Sequence, residues 1–345
     1  MYTNNFLNNQ VDFLFHRDIL LNHHTHIYID REDRQTIKAY DSKLKYEKEN
    51  IVSVMGEFFE REELINSRVK SKEKIEVVSL ISGEKRTIET GKIVLRDRFV
   101  DSCGMASHYI SEKAIKKAYL EFFERQCFIY SFLAKQGAGK IDISVFDGCK
   151  KGDIYLKNYI DEIDYFNISL DENLYVILAL GYGKEKKAIG MGTSSNIIKA
   201  IQKSQEEMLQ NFAVECSKNN FTDIGWKDES QSEGDMYDEL FFNMPIERFE
   251  SEYKYLNNGQ KKIIKTVEYK FDLYEFILKM KKIYKMEPYV CFLPSKRSGI
   301  KVVKIVDFNW FPHMFPKYYS EEIYNFVESA MNHSLDRKVE FIPFP

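Results

Sequence analysis

The sequence lacks the cysteine pattern of a disulfide-stabilised or zinc-binding protein. Its five cysteines are odd in number, widely spaced and never arranged as a CxxC pair; they are Cys103, Cys127, Cys149, Cys216 and Cys291. Such spacing argues against a disulfide framework and against a structural zinc site. We therefore expect a protein of the reducing cytoplasm.

Long apolar runs and an excess of basic residues are also missing. No apolar segment approaches the roughly 18 residues that a membrane-spanning helix needs, and the N-terminus has no basic stretch followed by an apolar run. The formal net charge is −3 and the sequence pI is about 6.2. This balance gives no electrostatic reason to expect a nucleic acid or an anionic membrane as a partner. Export, membrane insertion and nucleic-acid binding are therefore not expected.

Proline and glycine are too few to mark a domain boundary. The chain contains 7 prolines and 16 glycines, and no Pro-, Gly- or Ser-rich linker divides it. With 44% hydrophobic residues it can bury a large core, so we expect a single domain over residues 1–345. Residues 226–262 are polar, acidic and weakly periodic, which predicts a surface insertion made of a long loop and a short helix after it.

Two hydrophobic periodicities alternate along the chain. Segments rich in β-branched and aromatic residues predict strands at 75–82, 141–147, 174–183 and 300–308. Segments with helical periodicity lie at 48–65, 111–135, 194–217 and 271–285. This alternation predicts an α/β fold in which mixed sheets pack against helices.

What the sequence does contain is a pentapeptide that occurs twice, Glu-Phe-Phe-Glu-Arg at 57–61 and again at 121–125. On a helical wheel each copy separates a charged face from an apolar face. The charged faces carry Ser53, Glu57, Glu60 and Arg61 in the first helix and Glu121, Glu124 and Arg125 in the second. The apolar faces carry Ile51, Val52, Met55, Phe58 and Phe59 in the first helix and Ile115, Tyr119, Phe122 and Phe123 in the second. Ser111 is expected to begin the second helix and to cap its first turn.

A third helix, predicted to start near 194–196, carries Lys203, Glu207 and Gln210 on one face. Each charged face alone is compatible with a solvated surface that bears weak ion pairs. If the three faces converge instead, their carboxylates would repel one another unless cations were present. Magnesium takes such oxygen ligands together with phosphate, and the basic side chains would neutralise phosphate oxygens. Both interpretations stay open at this point.

The same residues resemble the motifs of the YcaO family, ATP-using enzymes of peptide backbone modification. The first family motif, Ser-x3-Glu-x2-Glu-Arg, is matched by Ser53, Glu57, Glu60 and Arg61. The second motif, a Gly-x-Ala loop before a helix that ends in Glu-x2-Glu-Arg, is matched by Gly104, Ala106, Glu121, Glu124 and Arg125. The third is matched by Lys203, Glu207 and Gln210, with lysine where arginine is common. The resemblance covers roughly residues 40–345 and is faint over residues 1–40.

The resemblance implies a YcaO-like fold in which ATP and Mg²⁺ bind between these helices. It assigns the metal to Glu57, Glu60, Glu121, Glu124 and Glu207. It places around the nucleotide Ser53, Arg61, Arg125, Lys203 and Gln210.

The loop before the second helix departs from the common family pattern at Cys103, His108, Tyr109 and Lys113. These departures leave the details of nucleotide contact open. They are similar to the microcin-type branch of azole synthetases, in which an Asp-x-Cys-Gly start and a nearby histidine also occur. By this similarity His108 is a candidate for a catalytic or positioning role, and an incidental histidine is the alternative.

The last residues, Phe-Ile-Pro-Phe-Pro at 341–345, are similar to the proline-bearing tail of azoline-forming YcaO proteins, which places the C-terminus in the active site. Two of the three prolines are present, and Phe341 stands at the position of the first. Prolines keep such a tail extended and leave it little entropy to lose. The Pro345 carboxylate is then a candidate proton acceptor, and a frayed terminus without a function is the alternative.

Together the resemblance implies the ATP-dependent cyclodehydratase subunit of a thiazole/oxazole synthetase, which converts Cys, Ser or Thr residues of a ribosomally made precursor peptide into azolines. No segment resembles a separate leader-binding domain, so a partner subunit would bind the leader and a flavin-dependent dehydrogenase would oxidise the azolines. A hetero-oligomer is therefore expected. The alternatives are a YcaO enzyme that forms thioamides or amidines, and a non-catalytic scaffold subunit of a peptide-modifying complex.

Overall fold

Three antiparallel sheets and the helices that pack against them form the fold, which is given by a computed structural model. The structure describes residues 2–6, 9–15, 24–30, 36–43, 49–64, 73–93, 102–183, 186–221, 239–259, 267–294 and 299–345. The combination of sheets and helices agrees with the α/β fold class that the sequence predicts.

The first sheet has the strand order β1-β2-β3-β4. Its strands are β1 (Tyr2–Phe6), β2 (Asn9–Phe15), β3 (His24–Asp30) and β4 (Thr36–Ser42). Each strand pairs with the next one along the chain in an antiparallel register. The sheet is thus a simple meander, and its last strand contacts the helix over Glu49–Leu64.

The second sheet has five strands in the order β6-β5-β12-β13-β7. Its strands are β5 (Lys74–Ser79), β6 (Lys85–Glu89), β7 (Met105–His108), β12 (Tyr289–Leu293) and β13 (Lys301–Val306). The edge strand β7 pairs with β13, and Ala106 stands opposite Val303. Strands from distant parts of the chain therefore meet in this sheet.

The third sheet has the order β11-β10-β9-β8. Its strands are β8 (Gly139–Ile141), β9 (Glu162–Asn167), β10 (Tyr175–Tyr182) and β11 (Lys187–Ser194). The strands β10 and β11 are buried at every position except the last one. Burial on both faces explains why β10 is a continuous apolar run rather than an alternating one.

Besides short 3-10 turns and a helical stretch at 239–242, the described residues contain seven helices. They are α1 (Glu49–Leu64), α2 (Ser111–Leu133), α3 (Asp147–Leu156), α4 (Ile197–Phe221), α5 (Ile246–Tyr253), α6 (Leu273–Tyr284) and α7 (Glu321–Met331). The predicted helices 48–65, 111–135, 194–217 and 271–285 are confirmed as α1, α2, α4 and α6. Among these helices none combines the length and hydropathy that a bilayer span requires.

The helix α2 runs through the main hydrophobic core. Most of its residues are buried, including Tyr119, Phe122, Phe123 and Phe128. It contacts β7 and β13 of the second sheet and β11 of the third, so it lies between those two sheets. The helix α1 contacts β4 and β7, and α4 contacts β4, β10 and β11. These shared strands bring α1, α2 and α4 to one region of the fold.

Two glycines of β11 let α4 lie very close to the third sheet. A Cβ atom at Gly192 would stand 2.2 Å from the carbonyl oxygen of Ala200, and one at Gly190 would stand 2.2 Å from that of Ser204. No other residue fits at such distances without a shift of the helix backbone. The close approach places the charged face of α4 directly beside β11.

The predicted strands 75–82, 174–183 and 300–308 are confirmed as β5, β10 and β13, but the prediction of a strand over 141–147 is wrong. The strand β8 ends at Ile141, a 3-10 turn follows over Ile143–Val145, and α3 begins at Asp147. The Asp142 carboxylate accepts a 2.9 Å hydrogen bond from the amide of Ser144. This local bond turns the chain where the alternating pattern alone would continue a strand.

The predicted surface insertion at 226–262 is partly corrected. Residues 226–238 and 260–262 lie outside the described residues. The short helix predicted after the loop is α5, but its segment is not superficial, because Phe249, Tyr253 and Leu256 are buried in the main core. Aromatic side chains at helical spacing thus outweigh the acidic character of this segment. The assignment of residues 1–345 to one domain stays a prediction.

Candidate functional site

The charged face of α1 is fixed to the edge strand β7. The amide of Ser107 donates a 2.6 Å hydrogen bond to Glu60 Oε1, and the Ser107 hydroxyl donates to the carbonyl oxygen of Gly56 at 3.0 Å. One turn earlier, Glu57 forms a 2.6 Å ion pair with Arg61 on the same helix. The face that carries these groups is therefore held against protein rather than turned freely into solvent.

The apolar face of α1 differs from the wheel at one position. Phe58 is buried, as predicted, but Val52 is 68% exposed and Val54 is fully buried instead. In α2 the predicted start at Ser111 is confirmed, but the capping role is not. Ile110 occupies the N-cap position, and no side chain caps this turn.

The charged faces of α2 and α4 meet directly. Arg125 Nη2 donates to Glu207 Oε1 at 3.2 Å, and the other oxygen of Glu207 accepts the amide of Met191 on β11. Thr193 links the same two helices, because its hydroxyl donates to Glu124 at 2.6 Å and its carbonyl oxygen accepts from Lys203 Nζ at 3.0 Å. The end of β11 therefore joins both helices.

A further cluster at the end of β4 joins α4 to the first sheet. Lys43 Nζ lies 3.3 Å from Asp41 Oδ1 and 3.2 Å from Glu206 Oε2. Burial would lower the pKa of Lys43, but the two carboxylates outweigh it and raise the pKa. Asp41 also senses the charge of Glu57 on α1. This cluster closes the connection between α1 and α4.

We call the charged site the set that these contacts connect. Its members are Asp41, Lys43, Glu57, Glu60, Arg61, Glu124, Arg125, Thr193, Lys203, Glu206 and Glu207. The acidic sides of α1, α2 and α4 thus face a common region, as the convergent interpretation of the sequence requires. The interpretation of each face as an isolated solvated surface is wrong.

The carboxylates of the charged site are shifted towards neutrality. Burial raises the pKa of Glu60 to about 7, with the Ser107 hydrogen bond lowering it and the charge of Glu57 raising it further. Burial also raises the pKa of Glu207 to about 7, against the opposing effect of Arg125. For Asp41 burial outweighs Lys43 and raises the pKa to about 6. Groups with such shifts concentrate at functional sites, where a ligand supplies the missing opposite charge.

The basic side chains respond in two ways. Burial alone would lower the pKa of Arg125, but the neighbouring Glu207 and further carboxylates raise it above its usual value. For Lys203 burial is the largest effect and lowers the pKa. The charge of Glu124 opposes burial, and the charges of Lys43 and Lys117 lower the pKa further. Cations and carboxylates thus alternate around the site at short range.

Arg125 has unused hydrogen-bonding capacity inside the protein. Its Nε and Nη1 atoms are buried, and neither has a hydrogen-bond acceptor among the described residues. Buried donors without acceptors are costly, so these two N–H groups indicate an anionic partner. A phosphate group presents several oxygen atoms that can accept from guanidinium N–H groups.

The C-terminal segment lies against Arg125. The Phe344 ring centroid is 4.7 Å from the guanidinium carbon of Arg125. The Tyr253 hydroxyl donates a 2.7 Å hydrogen bond to the carbonyl oxygen of Pro343, and Ile342 is fully buried. The interpretation of residues 341–345 as a frayed terminus is therefore wrong. Pro345 directly follows Phe344, which contacts Arg125 of the charged site.

The remaining predicted residues are less closely tied to the charged site. Glu121 is half-buried on α2 and influences Arg125 through its charge. Gln210 is half-buried on α4, and Ser53 is exposed on α1. His108 ends β7, where its Nδ1 atom accepts the amide of Ile110 at 2.9 Å; slight burial and the charges of Lys117 and Lys113 lower its pKa.

The five glutamates assigned to the metal do not form a preassembled ligand set. In the described part of the chain no three His, Cys, Asp or Glu side chains are grouped at metal-ligand spacing. Glu60, Glu124 and Glu207 instead accept hydrogen bonds from protein donors. The residue types nevertheless suit a hard divalent cation accompanied by phosphate, because such a cation needs only a few carboxylates.

The family is decided by a match over most of the chain. Residues 31–306 match the family model described as YcaO cyclodehydratase, ATP- and Mg²⁺-binding. The chain belongs to the YcaO family. ATP and Mg²⁺ are accordingly its cofactors, and the two buried Arg125 donors without an acceptor among the described residues agree with a site for phosphate. No curated protein sequence matches the chain.

Solved structures show the same fold at low identity. The E. coli microcin synthetase McbBCD complex is 18% identical, with a TM-score of 0.70 over 97% of this chain and 96% of that chain. YcaO from Methanopyrus kandleri, bound with AMPPCP and Mg²⁺, is 13% identical, with a TM-score of 0.65 over 86% and 85%. A heterocyclase in complex with substrate and cofactor is 14% identical, with a TM-score of 0.69 over 96% of this chain and 54% of that one.

Several residues of the charged site were missed by the sequence interpretation. Asp41, Lys43 and Thr193 lie outside the three helices, and their contacts come from strands whose ends only the fold brings near. Glu206 had a signal, because it stands beside Glu207 in a Glu-Glu pair. Lys117, whose charge lowers the pKa of the site residue Lys203, had a signal as well, since it precedes Glu121 by one helical turn on α2.

Proposed function

We propose that this YcaO protein is the ATP-dependent cyclodehydratase subunit of a thiazole/oxazole synthetase. Its substrates are Cys, Ser or Thr residues of a ribosomally made precursor peptide, and its products are azolines. The observation that carries the proposal is the contact of Phe344, in the docked C-terminal segment, with Arg125 of the charged site. A C-terminal segment that lies beside the nucleotide site is what azoline formation requires if this segment also contacts the reacting peptide.

The reaction needs an amide oxygen to become a leaving group. The side-chain thiol or hydroxyl of the substrate attacks the preceding backbone carbonyl, and ATP supplies the phosphoryl group with which that oxygen departs as phosphate. The task of the protein is to position the reactants and to neutralise charge. Arg125 and Lys203 are suited to the phosphate oxygens, together with Arg61, Ser53 and Gln210 as the outer residues of the nucleotide site.

The proposed metal ligands are Glu57, Glu60, Glu121, Glu124 and Glu207. Magnesium binding requires them in the ionised form, and the cation would offset the burial and the neighbouring carboxylates that together raise the pKa of Glu60 and Glu207. Asp41, Lys43 and Glu206 hold α4 against β4 and thereby keep Glu207 in place. These roles divide the charged site into groups that bind the ligands and groups that orient them.

His108 and Pro345 are the proposed catalytic residues. Phe344 contacts Arg125, and Pro345 is the next residue, so Pro345 is adjacent to the proposed nucleotide site. His108 adjoins Ser107, whose amide holds Glu60. With its Nδ1 occupied by the Ile110 amide, His108 would act through Nε2.

The test is reconstitution of the full chain with a candidate precursor peptide and the products of neighbouring genes, followed by mass spectrometry. Loss of one water per modified residue is expected, and it must depend on ATP and Mg²⁺. Exchange of oxygen for sulfur would instead identify a thioamide-forming enzyme. Calorimetry that detects no binding of ATP with Mg²⁺, even with partners present, would indicate a scaffold subunit.

The partners follow from the same proposal. The microcin synthetase that shares the fold is a complex, and a second structure of it contains bound pro-MccB17. We expect a leader-binding partner subunit and a flavin-dependent azoline dehydrogenase to accompany this chain in a hetero-oligomer. The isolated chain should then show little turnover, and full conversion of the precursor by the chain alone would contradict this expectation.

A further inference from the structure

Phe344 covers one face of the Arg125 guanidinium. Its ring centroid lies 4.7 Å from the guanidinium carbon, inside the roughly 6 Å range of a cation–π interaction. Phe344 is only 4% exposed. The contact is therefore shielded from water, where such an interaction is stronger than at a surface.

The position of this ring is set by other contacts of the C-terminal segment. Phe128 meets Phe344 edge-on, with ring centroids 5.2 Å apart. The Tyr253 hydroxyl holds the carbonyl oxygen of the preceding Pro343 at 2.7 Å. The segment is thus docked by its own anchors, and the ring is presented to Arg125 as a rigid surface.

Of the three guanidinium nitrogens of Arg125, one is bound to a carboxylate and two have no acceptor among the described residues. Nη2 is bound to Glu207, which is itself held by the amide of Met191. Nε and Nη1 are buried and have no acceptor among the described residues. Because the group is planar, a ring on one face and a carboxylate on Nη2 fix its orientation and leave the Nε and Nη1 donors for an anion.

We propose that Phe344 is a positioning residue for Arg125, so that docking of the C-terminal segment and binding of the nucleotide are coupled through this one side chain. The inference rests on the proposed role of Arg125 at the nucleotide and not on azoline formation. Coupling of this kind is reciprocal: the docked segment raises the affinity for nucleotide, and bound nucleotide stabilises the docked segment by the same factor.

The first test measures the affinity of the full chain for AMPPCP with Mg²⁺ by calorimetry. Phe344→Leu keeps an apolar side chain but removes the aromatic face, and we expect affinity to fall about three- to tenfold. Phe344→Trp restores a ring and should bind within about twofold of the wild type. Thermal unfolding of each variant verifies that it is folded.

Phe128→Leu is the matched control for lost packing. It removes a ring that contacts Phe344 and leaves both Arg125 and the Phe344 ring in place. We expect a lower thermal stability and a smaller loss of affinity for AMPPCP than in Phe344→Leu, because the ring over Arg125 is still present. The inference is overturned if Phe344→Leu binds AMPPCP as well as the wild type does, or if Phe128→Leu weakens binding equally.

The second test measures the reciprocal effect by hydrogen exchange in a peptide that covers residues 341–345. Addition of AMPPCP and Mg²⁺ should slow its exchange in the wild type, and much less in Arg125→Lys, because an ammonium lacks the planar face. Equal protection in both proteins would contradict the coupling. A wild-type chain that binds AMPPCP yet forms no azolines when it is reconstituted with its partners and a precursor peptide would refute the proposed function without affecting this inference.

Discussion

At the scale of a single residue, Glu60 shows how burial in the charged site makes the free energy of unfolding depend on pH. Its carboxylate is buried beside Glu57 and accepts the Ser107 amide, and burial raises its pKa to about 7. In the unfolded chain the same group titrates near its usual value of 4.5. Between these two values the folded chain binds more protons than the unfolded chain. The free energy of unfolding must therefore fall as the pH rises through this window.

Replacement of Glu60 by glutamine tests this linkage. Because glutamine is neutral and can still accept the Ser107 amide, we expect Glu60→Gln without ligands to be more stable than the wild type at pH 8 by about 1–3 kcal/mol. The difference should shrink towards pH 4.5. Urea unfolding at several pH values measures it, with Glu172→Gln at an exposed position as the control. A stability difference that does not depend on pH would contradict the assignment.

Thr193 is a second residue whose role depends on burial. It is 3% exposed and donates to Glu124, which is 8% exposed. Thr193→Val keeps the shape but leaves the carboxylate without this donor, so we expect the free energy of unfolding to fall by about 1–3 kcal/mol. Thr193→Ser keeps the hydroxyl and should lose less than half of that amount. Equal losses in the two variants, measured by urea unfolding, would show that the hydrogen bond is unimportant.

At the scale of elements, the contact of α4 with β11 sets the geometry of the charged site. Gly192 lets the helix approach so closely that an added Cβ would meet the backbone of Ala200 and Ser204. The same approach brings Lys203 to the carbonyl oxygen of Thr193. The packing of α4 on β11 therefore also determines where the Lys203 side chain lies.

Substitution of Gly192 by alanine should therefore affect both properties. We expect a loss of about 1–3 kcal/mol in the free energy of unfolding, because backbone atoms must move apart. Affinity for ATP with Mg²⁺, measured by calorimetry, should fall as well because Lys203 shifts. Gly91→Ala is the matched control, since a Cβ there meets no atom within 4 Å. Unchanged affinity in a destabilised Gly192→Ala would separate packing from binding.

The C-terminal segment is the element on which the proposed chemistry depends. Deletion of Pro343 to Pro345 should abolish azoline formation while ATP binding weakens only about three- to tenfold, the part contributed by Phe344. Mass spectrometry of the peptide and calorimetry of the nucleotide separate the two effects. Tyr253→Phe serves as the mild comparison, because it removes one hydrogen bond to the segment. An unchanged azoline yield after the deletion would eliminate the proposed role of the tail.

At the scale of the whole molecule, the charged site joins elements that are far apart in the chain. Asp41 and Lys43 belong to β4 or its end, Arg125 to α2 and Glu207 to α4. A ligand bound between them should therefore stabilise the fold as a unit. At a ligand concentration of about 100 times Kd, the expected gain is about 2.7 kcal/mol.

Thermal unfolding tests this expectation with the full chain. ATP and Mg²⁺ together should raise the Tm clearly. ATP with a chelator should raise it much less, because the phosphates then face the carboxylates Glu57, Glu60 and Glu207 without a cation between them. Mg²⁺ alone gives the third arm. Equal Tm shifts with and without the chelator would contradict a metal-assisted site.

Local patterns were sufficient for several features of this protein. The spacing of charged residues in the repeated pentapeptide placed Glu60, Glu124 and Arg125 on polar faces, and the structure brings those faces together. The continuous apolar run of β10 was recognisable as a strand. In contrast, the strand expected over 141–147 was wrong, because the Asp142 carboxylate forms a local bond that the alternating pattern does not register.

The sequence by itself determined the helices with charged faces, the main strands and the YcaO resemblance, because periodicity and motif spacing are local properties of a chain. Only the tertiary structure decided that Asp41, Lys43 and Thr193 belong to the same site, and that Phe344 covers Arg125. Those contacts join residues up to more than two hundred positions apart. They arise from strand order, from the close packing of α4 on β11, and from burial, which converts ordinary surface charges into an interacting group.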